Sequence, residues 1–128
     1  PVISLPVSQV KLNHNNHRLT AQLKDQLDVF QDPFSQKSQK IIEQKLAETE
    51  KFQQLKSELK GLKQREPGVI TRDGVLVNGN TRCVALRQLE TEGNPHARNI
   101  DVAVLKKGTL PEDIISIEMT LQMQKLTH

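Results

Sequence analysis

Aromatic side chains are nearly absent from this 128-residue sequence, which has three Phe and neither Trp nor Tyr. Its interior must therefore be built from Leu, Ile and Val, and the stacking platforms that usually hold single-stranded nucleic acid are missing. Cysteine is scarcer still. Cys83 stands alone and cannot close an internal disulfide, which points to a reducing compartment. No run of about 18 apolar residues is present to span a membrane, and no signal-peptide pattern opens the chain. These absences argue against a disulfide-stapled secreted module and against a membrane protein, leaving a soluble cytoplasmic one as the expectation. Excess charge is also small. The net charge of +3 and pI of about 9.2 are compatible with an anionic partner without specifying one. Length alone predicts one domain over residues 1–128, and the start at Pro1 rather than Met leads us to expect the N-terminal fragment of a longer protein.

What is present reads as alternating strands and helices. Val2-Ile3-Ser4-Leu5-Pro6-Val7 predicts an opening strand that Pro6 confines to a sheet edge or ends early. Val10 and Leu12 lead into the polar loop Asn13–Arg18, whose His14 and His17 lack a third ligand at zinc-site spacing. Leu19, Leu23, Leu27 and Phe30 predict a helix capped by Thr20 and broken at Asp32-Pro33. From Ser35 to Lys63 the chain is polar and strongly helical, with Ile42, Leu46, Phe52, Leu55, Leu59 and Leu62 on one stripe that Thr49 interrupts, so two helices or a bend are expected. Between Ser35 and Arg65, eight Lys and Arg oppose four Glu. Lys45, Lys56, Lys60 and Lys63 are accordingly candidates for a nucleic-acid-facing surface, set against an ordinary solvated helix face.

The densest signal lies between Ile70 and Leu86. Thr71-Arg72-Asp73-Gly74 between β-branched runs predicts a hairpin with a type I′ turn. After Gly79 the period changes: Val84, Ala85, Leu86 and Leu89 fall at helical spacing, with Asn80 or Thr81 as the expected cap. A glycine that permits close backbone approach, a helix N-terminus and Arg82 in the first turn together form a candidate anion site. Gly93-Asn94-Pro95 ends that helix, and Asn99–Leu105 predicts a strand. Lys106-Lys107-Gly108 predicts a turn, and Thr109-Leu110-Pro111-Glu112-Asp113 opens a last helix. The layout expected is a small mixed sheet surrounded by helices, α+β or α/β.

The glycine turn in Val77-Asn78-Gly79-Asn80-Thr81-Arg82-Cys83-Val84-Ala85-Leu86 resembles the Gly-x-x-Arg-x-x-Ala box of the ParB/sulfiredoxin-like superfamily. Ile3–Pro6 with Asn15–Arg18 is similar to that family's opening strand and following loop, and Leu121–Leu126 to its third box. Residues from about 34 to 64 then read as an enlarged helical insertion. The resemblance implies phosphate or nucleotide binding by Gly79, Asn80, Thr81 and Arg82, joined by Arg18 and Gln122. It also implies CTP or ATP with Mg2+ as ligands, DNA as a partner, and a homodimer. In sulfiredoxin-type members a nucleophilic cysteine precedes the Arg of the box; here Asn80 occupies that place and Cys83 follows Arg82. Cytidine-nucleotide-binding members carry Glu and Arg where this chain has Asn80 and Thr81.

Three functional readings follow. The first is a nucleic-acid-associated domain that binds phosphate at the Gly-x-x-Arg turn, in partition, DNA regulation or DNA processing. The second is a nuclease or NTP-dependent phosphotransferase on the same scaffold, for which Asp73 and Glu66 are the nearest carboxylates. The third is a non-enzymatic protein-interaction domain using the long helical region.

Overall fold

The computed structural model describes residues 2–13, 29, 31–61 and 67–105. The predicted Thr20–Phe30 helix, apart from the buried, helical Val29, lies outside them, as do Leu62, the turn at 106–108 and the last helix. The described chain is α+β, with a four-stranded mixed sheet and three helices. In chain order these are β1 (Val2–Pro6), α1 (Gln36–Ala47), α2 (Phe52–Gly61), β2 (Gly68–Ile70), β3 (Leu76–Asn78), α3 (Asn80–Thr91), a 3-10 turn (Pro95–Ala97) and β4 (Asn99–Val104). Sheet order is β1-β4-β2-β3; β4 runs antiparallel to β1 and parallel to β2, and β2 is antiparallel to β3.

β1 ends at Pro6 on a sheet edge, as the missing proline N–H demands. The next segment crosses the molecule. Val7, Val10 and Leu12 are buried, and Lys11 forms a parallel bridge beside Val75, beyond the opposite end of the sheet order. There the Lys11 N–H donates to the Gly74 carbonyl at 2.8 Å, and the Lys11 carbonyl accepts from the Leu76 N–H at 2.9 Å.

The long helical region is two helices. Ser35 caps α1, its Oγ accepting the Ser38 N–H at 3.1 Å. The break falls where the apolar stripe lapses: residues 48–51 form a turn and the Thr49 hydroxyl donates back to the Leu46 carbonyl at 2.8 Å. Ile42, Leu46, Phe52 and Leu59 are buried in the one core shared with the sheet and α3. Both helices therefore contribute to the central core.

α3 is the centre of the packing. Cys83, Val84, Ala85, Leu86 and Leu89 are all buried, a wider face than a surface helix presents, because the helix meets α1, α2 and β4. It ends in a Schellman motif. Gly93, at φ 98°, donates to the Glu90 carbonyl, and the Asn94 N–H reaches back to the Leu89 carbonyl, both at 3.0 Å.

The hairpin corrects the expected turn type. Only Gly74 has positive φ (88°); Asp73 does not, so a type I′ turn is excluded. The Gly74 N–H donates to the Thr71 carbonyl at 3.0 Å, the Thr71 N–H donates to the Val75 carbonyl at 2.9 Å, and a register shift follows between Val69 and Ile70. This is a longer loop with a left-handed glycine, favoured because the Thr71 hydroxyl also accepts the Val75 N–H at 3.2 Å.

Candidate functional site

The Gly79 turn joins β3 to α3 in the middle of the fold. Gly79 itself is the N-cap, at φ 98° and ψ 14°, and supplies no side chain to the first turn. Glycine is required twice over. Its φ is left-handed, and a Cβ there would lie 3.3 Å from the Gly68 Cα. A Cβ on Gly68 would in turn lie 2.8 Å from the Asn78 carbonyl oxygen. The two glycines let the end of β3 press against the start of β2.

Thr81 does not cap the helix, and neither does Asn80, contrary to the sequence expectation. Asn80 is the first helical residue, 1% exposed, and its side chain turns inward. Its Oδ1 accepts the Asn13 N–H at 2.8 Å and its Nδ2 donates to the Leu76 carbonyl at 3.1 Å. Asn80 thereby ties the crossing segment to the strand before the turn. Thr81 and Arg82 are half-buried and stand in the first turn of α3, next to the buried Asn78, Gly79 and Asn80. Arg18, Gln122 and Lys63 lie outside the described residues, as do His14, His17 and Glu66. Asp73 sits exposed at the hairpin tip.

Two side chains that sequence reasoning passed over hold the approach to this turn. Arg87, one turn beyond Cys83, donates from Nε to the Val7 carbonyl at 2.8 Å and from Nη2 to the Val10 carbonyl at 2.7 Å, while Nη1 lies 3.5 Å from Glu43 Oε1. Gln39 brackets Leu12, accepting its N–H at 2.8 Å and donating to its carbonyl at 2.9 Å. An arginine inside the apolar run Val84-Ala85-Leu86-Arg87-Gln88-Leu89 was the one available signal; Gln39 in a polar helix offered none.

The basic positions divide. Lys56 is drawn onto α3, donating to Gln88 Oε1 at 3.0 Å and pairing with Glu92. It braces α2 against α3 instead of facing outward. Lys45 is half-buried and lies 3.7 Å from Glu48, whereas Lys60 is exposed. A groove of about 370 Å³ between α1 and α3 is lined by Glu43, Gln44, Ala47, Arg87, Gln88, Thr91 and Glu92. Its lining omits the Gly79–Arg82 turn, and Arg87 and Glu92 are already committed to structural bonds. The groove is accordingly not the anion site. Among the described residues, no group of three His, Cys, Asp or Glu is placed to hold a metal, and no helix is long and apolar enough to cross a membrane.

Cys83 is fully buried, its thiol 3.8 Å from the Val7 carbonyl. Burial pushes the thiol from 9.0 up to about 11, with the nearby Glu43 adding to the rise and Arg87 opposing it. It is a neutral packed thiol at neutral pH, which is the opposite of what nucleophilic chemistry needs. The neutral thiol's contribution to stability is complete below the unfolded value of 9.0 and is lost as pH climbs toward about 11. We expect Ellman's reagent at pH 8 to label Cys83 no faster than the protein unfolds. Denaturant stability should fall from pH 9 to 11, and Cys83→Ala should flatten that part of the profile. Rapid labelling of the folded protein would contradict the burial.

Comparison of the chain with protein-family models, with curated proteins and with solved structures gave no match.

Proposed function

We propose that the chain is a ParB-like domain that binds phosphate, from a nucleotide or a DNA backbone, at the start of α3. The observation that carries this reading is the glycine-led, side-chain-free N-cap at Gly79 with Arg82 in the first helical turn. A helix N-terminus concentrates N–H donors and the positive end of the helix dipole on one point, which favours an anion. Gly79 leaves that point without a side-chain acceptor, and a guanidinium in the same turn adds a charge with fork geometry matched to phosphate. Asn80 takes no part in holding the ligand directly; it fixes the turn from behind through Asn13 and Leu76. Exposed Lys60 extends a weak basic surface, and Lys56 supports α2.

The test is a thermal-shift and calorimetry panel of CTP, ATP and short DNA duplexes, with and without Mg2+, on the wild type and Arg82→Ala. A ligand at a hundredfold excess over its Kd stabilises the fold by about 2.7 kcal/mol, a shift that such a panel resolves readily. We expect binding that weakens steeply with salt and falls at least about tenfold in Arg82→Ala, which corresponds to one charge-assisted contact of ~1.4 kcal/mol. An Arg82→Ala variant that binds like the wild type sinks the proposal, as does a wild type that binds none of the panel.

A further inference from the structure

We infer that the outer edge of β1 is a self-association surface, on which a second copy of this chain adds its own β1 antiparallel to form a continuous sheet across a two-fold axis. The backbone groups of β1 divide between its β4 side and its open side. Val7, following the strand, donates its N–H to the Arg98 carbonyl at 2.9 Å. Because backbone groups alternate sides along a strand, Leu5 and Ile3 turn theirs toward β4, the side to which the Val7 N–H points. The register, Leu5 opposite Ile100 and Ile3 opposite Val102, agrees. Val2, Ser4 and Pro6 therefore direct theirs away from the sheet. Pro6 lies in the outward set, so its missing N–H removes nothing from the β1–β4 ladder.

The two ends of the sheet are treated differently. Beyond β3, Lys11 bridges to Val75 and takes up backbone groups of Gly74 and Leu76. β1 pairs with β4 alone among the described residues. Of the usual protections of an open edge β1 has only its shortness and Pro6 at its end; Val2-Ile3-Ser4-Leu5 has no charge and no bulge. Its apolar side chains are uncovered: Val2 is 58% exposed and Ile3 42%. Ile3 makes the stronger case. Its β4 partner Val102 is buried, as is Ile100 opposite Leu5, so Ile3 lies on the core face of the sheet yet remains open at its rim. A further strand is the element that would complete that face.

A second β1 fits this edge in one register. With Ser4 opposite its symmetry mate, the two Ser4 residues exchange both backbone hydrogen bonds. Each Val2 N–H then meets the partner's Pro6 carbonyl, which needs no donor from proline. On the core face, Ile3 is covered by Leu5 of the partner subunit, the cross-strand pairing that stabilises antiparallel ladders. The edge is thus complementary to itself, and the isologous geometry closes at two copies without propagating.

Sedimentation velocity and light scattering between about 10 µM and 1 mM test this, because edge pairing alone buries less than the ~1,200 Å² typical of tight complexes and should give a concentration-dependent dimer. Ser4→Pro is the decisive variant: it deletes only an outward N–H and leaves the β4 ladder whole. We expect the wild type to shift toward dimer with concentration, and Ser4→Pro and Ile3→Lys each to raise the dissociation constant at least tenfold. Circular dichroism and the melting temperature of Ser4→Pro should stay at wild-type values. A wild type that remains monomeric at 1 mM, or a dimer indifferent to Ser4→Pro, overturns the inference.

Discussion

Replacing Arg87 by Met should cost this fold about 3 kcal/mol and lower its melting temperature by about 10 °C. The guanidinium is the shared partner of two backbone carbonyls, Val7 at 2.8 Å and Val10 at 2.7 Å, in a stretch whose side chains are 0% and 4% exposed. Methionine keeps much of the aliphatic stem and fills the space, so the loss isolates the hydrogen bonds. Each stranded carbonyl then bears its own desolvation cost, about 1–3 kcal/mol. Glu43 contributes less, because its contact is long at 3.5 Å and part of it faces solvent. The arginine side chain keeps 20% exposure, which holds the total toward the lower end of the about 2–6 kcal/mol that two such carbonyls span. Arg87→Lys is the informative control. It keeps the charge, but a single ammonium cannot span both carbonyls as the fork does, so it should recover less than half of the loss. Chemical denaturation with both variants decides the matter. If Arg87→Met melts within about 2 °C of wild type, the crossing segment is not held as described.

Gly79→Ala should be nearly as damaging, at about 3 kcal/mol, and Gly74→Ala provides its internal standard. The two glycines share the left-handed region, at φ 98° and 88°. Alanine in that region costs about 1–2 kcal/mol from the clash of Cβ with the backbone. For Gly74 that is the whole effect, since nothing lies within 4 Å of an added Cβ. For Gly79 the added carbon also meets the Gly68 Cα at 3.3 Å, backbone against backbone, and β2 and α3 must part to admit it. The difference between the variants therefore measures the close approach itself, and we expect at least ~1 kcal/mol. Equal losses would mean that the contact between Gly68 and Gly79 relaxes freely. The same experiment bears on function, because any anion held at the start of α3 depends on the turn that Gly79 makes.

Much of the fold was legible from local pattern. Pro6 marked the end of an edge strand, the lapse at Thr49 marked the division of the long helix, and Gly93-Asn94-Pro95 marked the end of α3. Each of these depends on steric or hydrogen-bonding rules that act within a few residues. The positions of Val84, Ala85, Leu86 and Leu89 likewise announced a helix with a deep apolar face. The glycine-led turn before Arg82 could also be read directly, because only glycine suits its φ.

The misreadings concern polar side chains whose partners are distant in sequence. Asn80, with Thr81 one of two expected caps of its own helix, instead accepts a hydrogen bond from a residue 67 positions earlier. Lys56, read as either a nucleic-acid-facing candidate or part of a solvated helix face, reaches across 36 positions to Glu92. Asp73-Gly74 suggested a type I′ turn until the hydroxyl of Thr71 and the bridge from Lys11 favoured a longer loop.

By itself, then, the sequence determined a small mixed sheet with helices around it, the limits of most described elements, an aliphatic core and a glycine turn opening α3, since these follow from periodicity and from the conformational limits of Pro and Gly. Only the tertiary structure decided the strand order β1-β4-β2-β3, the inward turn of Asn80, Arg87 and Lys56, and the open outer edge of β1. Those outcomes depend on which backbone groups and charges meet after long loops have closed, and no local pattern encodes that meeting.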